Sequence, residues 1–146
     1  MDFKVLLFLC NWAPWSCYLG MGENKVPLPE EVRVIRVMCV SRIIPAYILK
    51  AFSMGADGVM IASCMDDNCQ NLFGPKVVEE HIINTVEIMK LLGLKEERLS
   101  LRKFFPHESE KMAREIKDFL IQIKKLGKSP IDRNRQIQKQ EMIERI

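Results

Sequence analysis

Short runs of branched apolar residues alternate with longer stretches of helical periodicity, and that alternation leaves this chain few architectures. Lys4–Leu9 (KVLLFL), Val32–Met38 (VRVIRVM) and Gly58–Ala62 (GVMIA) read as buried strands bounded by turn residues. Leu99–Phe105 (LSLRKFF) alternates apolar with polar positions and suits a strand nearer a sheet edge. Pro45–Met54 opens with proline in a first-turn position and stops at Gly55, the asymmetry expected of a helix. Lys76–Leu92 carries an apolar stripe at Val78, Ile82, Val86 and Met89, and Ser109–Leu126 repeats Met112, Ile116, Phe119, Leu120 and Ile123 on one face. Strands alternating with helices predict an α/β fold with a parallel sheet and covering helices. Right-handed crossovers reduce this to a small flavodoxin-like sandwich.

Two segments depart from the alternation. Met21–Glu31 contains Gly, Pro and Asn and is expected to hold no more than a turn of helix between the first two strands. Past Gly127-Lys128-Ser129-Pro130 comes a polar stretch, Ile131–Ile146, with a sparse stripe at Ile137, Met142, Ile143 and Ile146. The expected organisation is a domain over 1–127 and a C-terminal helical tail over 128–146 that docks a partner.

A net charge of +3, with much of the excess from Lys124 onward, gives no clustered basic face of the kind nucleic acid requires. The apolar run Val5–Leu9 is too short for a signal peptide, and no small-residue cleavage site follows it. No segment approaches the ~20 apolar residues of a membrane helix. The expectation is a cytoplasmic protein, where disulfides are disfavoured. Its five cysteines, an odd number, then read as metal ligands, redox thiols or core residues.

Their positions favour a site. Cys10 follows the first expected strand and Cys39 the second. Cys64 comes shortly after the third, with Cys69 further along the same loop. In a parallel sheet all carboxyl ends lie along one edge, and ligands bind in the crevice outside it. A lone cysteine is often core filling, but three at equivalent strand ends argue for convergence. Zinc sites generally use paired Cys-x-x-Cys knuckles, and thioredoxin-type chemistry uses Cys-x-x-Cys at a helix start; neither spacing is present. Cys64-Met65-Asp66-Asp67-Asn68-Cys69 has one of the spacings seen in iron–sulfur loops. An iron–sulfur cluster is therefore the first reading, and a zinc-binding or thiol–disulfide module the second.

Three elements in order resemble the delta subunit family of methyl-viologen-reducing hydrogenase. They are Phe8-Leu9-Cys10-Asn11-Trp12, Arg33-Val34-Ile35-Arg36-Val37-Met38-Cys39-Val40-Ser41-Arg42, and Gly55-Ala56-Asp57-Gly58-Val59 followed by Cys64 and Cys69. The similarity runs from about Val5 to Gly127. It implies a 2Fe–2S cluster and an electron-transfer role with no substrate of its own. The implied partners are the flavin and iron–sulfur subunit of a heterodisulfide reductase-like bifurcating complex and a hydrogenase, formate dehydrogenase or similar oxidoreductase. The family pattern after the first strand is Cys-Asn-Trp-Cys, whereas this chain has Ala13 at the last position and Cys17 four residues on. Either Cys17 replaces the missing ligand through an altered loop, or Cys10, Cys39, Cys64 and Cys69 hold the cluster. Four of the five thiols are expected to serve.

Around that site, Trp12 and Trp15 are expected in a loop stiffened by Pro14, shielding the thiols or packing on the sheet edge. Arg36 is expected to pair with a carboxylate or else to face an interface, Asp66 and Asp67 to be solvated or else to place negative charge beside the site, and His81 and His107 to lie on the surface.

Overall fold

The computed structural model describes residues 2–146. Four strands, β1 (Val5–Cys10), β2 (Val32–Val37), β3 (Gly58–Cys64) and β4 (Leu99–Phe104), form one parallel sheet in the order β2-β1-β3-β4. The helices are α1 (Ala13–Glu23), α2 (Pro45–Ser53), α3 (Gly74–Leu91), α4 (Ser109–Leu126) and α5 (Pro130–Glu144). From β1 the chain moves outward to β2, then crosses back over β1 to build β3 and β4. The order of strands therefore reverses between β1 and β3, which makes that boundary the switch point of the sheet.

The two central strands are apolar on both faces, as a doubly covered parallel sheet demands. Phe8, Cys10, Val59, Ile61 and Cys64 pack with Ile43, Ile48, Phe52, Val78 and Met89 under α2 and α3. Val5, Leu7, Leu9, Met60 and Ala62 pack with Cys17, Met21, Met112, Phe119 and Ile123 under α1 and α4. Each large apolar side chain so buried contributes about 1.5–3 kcal/mol. The second layer sits close to β3: a Cβ on Gly58 would stand 2.6 Å from Ile123 Cδ1, so only glycine fits where β3 passes beneath α4.

The end of the sheet away from the cysteines is tied by a buried charge. The Asp57 carboxylate, fully enclosed, accepts from Lys4 N at 2.9 Å, Ser129 N at 2.7 Å and Lys128 Nζ at 2.8 Å. Buried Arg98 donates to the carbonyls of Asp57 (2.9 Å), Gly127 (3.0 Å) and Lys128 (3.2 Å). Residues 127–129 are thereby fastened to the start of β1 and β3. α5 leaves from that junction and runs past the end of α2, where Arg135 reaches the Ser53 carbonyl.

Met21–Glu31 holds only the last turn of α1, as expected, but α1 itself corrects the expectation of a loop around Trp15. Pro14, expected to stiffen a loop, lies in the first turn of this helix. Its sequence hides the helix because Gly20 and Gly22 carry no helical preference and apolar residues surround its axis without a clean stripe. Gly20 has a packing reason: a Cβ there would meet Ser109 Cβ of α4 at 3.0 Å, so the glycine lets α1 and α4 cross closely. Among the described residues no helix is long and apolar enough to cross a membrane.

Candidate metal centre

Cys10 is the last residue of β1 and Cys64 the last of β3. Because these strands pair directly at the switch point, their thiols meet, Sγ to Sγ, at 3.5 Å. Both are buried. The Cys10 thiol is drawn down to about 6, first by the hydrogen bond with Cys64, which outweighs the opposing effect of burial. Main-chain N–H groups of Trp12, Val40 and Cys64 add to the effect. The Cys64 thiol is pushed up, first by its bond to Cys10 and then by burial, while the Ala13 N–H offsets this in part. As a pair they give up one proton near neutrality and retain the second.

The start of α1 explains part of that field. Trp12 provides no side-chain cap, so the first N–H groups of the helix are free to face sulfur. The helix that the sequence concealed thus adds to the polarisation that the two thiols exert on each other.

Cys39 lies two residues past β2, ahead of a short 3-10 turn at Val40–Arg42, and Ser41 Oγ donates to its sulfur at 3.1 Å. Cys69 follows a second 3-10 turn, Asp66–Asn68, and is half-buried. These two thiols close around Gly74, the first residue of α3. A Cβ there would stand 2.7 Å from Cys39 Sγ and 3.1 Å from Cys69 Sγ. The charge of Cys69 also acts on Cys64, which places the second pair within electrostatic reach of the first.

Cys10, Cys39, Cys64 and Cys69 therefore gather at one sheet edge as two pairs. Among the described residues no three Cys, His, Asp or Glu side chains stand together as a ready ligand set. The donor chemistry nonetheless suits an iron–sulfur group: sulfur ligands, main-chain N–H groups directed at two of them, and a glycine where a side chain would obstruct the others.

Cys17 does not join them. It lies on α1, packs in the layer beneath α4, and donates to the Phe105 carbonyl at 3.2 Å. Burial pushes its thiol up. Cys17 stands one turn beyond Ala13 on α1 and packs in the layer on the opposite face of the sheet from Cys10 and Cys64.

Other expectations are revised. Among the described residues Arg36 pairs with no carboxylate; its Nε donates to Asn11 Oδ1 at 2.7 Å and its guanidinium lies 4.2 Å from the Trp15 ring centre. Trp15 in turn meets Tyr18, so it packs within α1's own layer, whereas Trp12 stays exposed at the edge. Asp66 is ion-paired, not merely solvated: Lys103 Nζ lies 2.8 Å from its Oδ1 and also bonds Glu79. Burial opposes the charge on Lys103, yet the two carboxylates leave its ammonium raised above the ordinary range. His81 is half-buried, and its Nδ1 lies 3.0 Å from the Ile43 carbonyl. His107 is exposed, as expected.

Gly74, Ser41 and Lys103 were not legible as site residues. A Gly-Pro step at a helix start was the one available signal for Gly74. One cleft, about 850 Å³, lies between α2 and β2, and no cysteine is among the residues that line it. Another, about 390 Å³, adjoins the thiol edge between Trp12 and Asn68.

The chain is 34% identical over 123 residues to a ferredoxin:CoB-CoM heterodisulfide reductase polypeptide of Methanosarcina mazei, covering 84% of this chain but 16% of that protein. A Methanosarcina acetivorans relative, from a ferredoxin/F(420)H(2)-dependent CoB-CoM heterodisulfide reductase, is 32% identical and is likewise matched over 16% of its length. The chain thus corresponds to about a sixth of those longer proteins. Against an iron-sulfur subunit of the F420-non-reducing hydrogenase vhc of Methanococcus voltae it is 32% identical over 131 residues, 90% of this chain and 91% of the relative. The family described as methyl-viologen-reducing hydrogenase, delta subunit, matches residues 5–127. This chain belongs to the methyl-viologen-reducing hydrogenase delta subunit family.

Proposed function

We propose that the chain is an electron-transfer subunit in which Cys10, Cys39, Cys64 and Cys69 hold a 2Fe–2S cluster. It relays electrons between a hydrogenase or other dehydrogenase and the flavin and iron–sulfur subunit of a heterodisulfide reductase-like complex. The observation that carries this reading is the gathering of these thiols, in two pairs, at the carboxyl edge beside the β1/β3 switch point. The hydrogenase relatives are named as iron-sulfur subunits, which supports it. So does the likeness to part of a heterodisulfide reductase, which points to the partner.

When bound, such a cluster accepts and releases one electron at a time. The chain's own groups prepare the place. N–H groups of Trp12, Val40 and Cys64 favour the thiolate on Cys10, and Ala13 does so on Cys64. Burial of Cys10, Cys39 and Cys64 excludes water on three sides, and fewer hydrating waters with more N–H bonds to sulfur set the potential. The half-buried Cys69, beside exposed Leu72 and Phe73, is the face of the site nearest a partner.

Anaerobic purification tests the reading. A brown protein with ~2 iron and ~2 sulfide per chain supports it, and a colourless protein with stoichiometric zinc sinks it. Cys39→Ser and Cys64→Ser are expected to abolish the visible spectrum; a normal spectrum in either refutes the ligand placement.

A further inference from the structure

The loop that carries Cys69 has little holding it in place. Residues 66–68 are exposed, and the turn itself is closed by single bonds, Asn68 N to the Met65 carbonyl at 3.0 Å and Leu72 N to the Cys69 carbonyl at 3.2 Å. No side chain of Asp66–Asn68 is buried. Two things cross from this loop to the body of the fold: Cys69 itself packs against the core under α2 and α3, and an ion triad ties Asp66. Lys103, on β4 beside Ser63 of β3, extends Nζ to Asp66 in the loop and to Glu79 on α3. Its stem is three-quarters covered, so the ammonium has a fixed origin. The Lys111 ammonium bonds the carbonyl of Lys103 at 2.9 Å and further holds that strand position.

We propose that Lys103 is the positioning residue of the Cys64–Cys69 loop: by bridging Asp66 and Glu79 it latches the loop between β4 and α3 and so holds Cys69 at the thiol site. The geometry distinguishes a latch from a general surface pair, because its three members lie on three separate elements and only one of them is in the loop. Release of Lys103 frees Asp66 while Cys64, rooted at the end of β3, stays where it is. The inference rests on the four-thiol reading for its meaning, but its test requires no cluster.

In the metal-free, reduced protein, amide hydrogen exchange of Asn68 and Leu72 reports loop opening. Lys103→Met is expected to accelerate exchange at these amides by about three- to tenfold, the effect of losing two partly exposed ion pairs. Amides of β1 and β3 should be unchanged. Lys103→Arg, which can still bridge two carboxylates, is expected to restore the wild-type rate, and Asp66→Asn to reproduce most of the acceleration without touching β4. Unchanged exchange in Lys103→Met and Asp66→Asn overturns the latch. So does uniform acceleration over the whole sheet, which would make Lys103 a plain stability residue. If the latch is confirmed and the protein still binds no iron, the cluster reading fails and the latch stands.

Discussion

Replacing Gly74 with alanine separates the fold from the site. The added Cβ would lie 2.7 Å from Cys39 Sγ and 3.1 Å from Cys69 Sγ, whereas comfortable contact is about 3.5–4.0 Å. Each sulfur must retreat by roughly half an ångström to an ångström, about 30° of side-chain rotation, which costs about 0.5–1.5 kcal/mol per thiol. In the metal-free protein both thiols can turn to relieve the contact. Alanine also recovers about 0.5–1 kcal/mol of helix preference at the start of α3. The rotation of two thiols outweighs that gain or equals it, so guanidinium unfolding of metal-free Gly74→Ala should show a loss of about 0–2 kcal/mol. A bound group fixes the sulfur directions and removes that escape. The strain of both thiols, about 1–3 kcal/mol, then falls on loading, an about 5- to 150-fold loss. Anaerobic reconstitution at limiting iron and sulfide, followed by absorption, measures it. Wild-type loading with wild-type stability would refute the crowding; a loss of more than about 2 kcal/mol in the metal-free protein would show that the thiols cannot turn.

Cys17→Ser should load iron as wild type does and lose only about 1 kcal/mol of stability, since a serine hydroxyl can keep the bond to the Phe105 carbonyl; a lost visible spectrum would return Cys17 to the site. Asp57→Ala strands the buried amides of Lys4 and Ser129 and takes the carboxylate from Lys128, which keeps its bond to the Asp2 carbonyl, so the guanidinium midpoint should fall by the equivalent of about 3–5 kcal/mol. That is a large part of a typical 5–15 kcal/mol, and a change below about 1 kcal/mol would show the staple to be dispensable. Cobalt(II), read by its sulfur charge-transfer absorption, should bind with a pH dependence that steepens by one proton below about 6. Below that point the Cys10 proton must be displaced, and above it the thiolate is already present. An unchanged slope through pH 6 would remove the Cys10–Cys64 pair from the ligand set.

The strands were legible because a sheet covered on both faces leaves continuous branched apolar runs, and β4's alternation marks it as an edge. Parallel strands then place residues 10, 39 and 64 along one edge without any knowledge of side chains. What was hidden depends on contacts between distant segments. α1 has no polar face to betray it, since its layer is completed by α4, about 90 residues later. With α1 unseen, Cys17 had no assigned face, and the N–H groups acting on Cys10 and Cys64 had no visible source. Arg36 and Lys103 sit at strand positions whose partners, Trp15, Asn11, Asp66 and Glu79, come from other elements.

The staple at Asp57 also sets an order of events during synthesis. Pairing of β1 with β3 draws on no residue beyond 64, so Cys10 and Cys64 can meet before residues 127–129 have been made. The carboxylate of Asp57 has to wait for Ser129, 72 residues further on, before its buried oxygens are satisfied. At 5–20 residues per second that interval is roughly 4 to 14 s. A nascent chain would hold its first thiol pair formed, and its base unlocked, for that whole time.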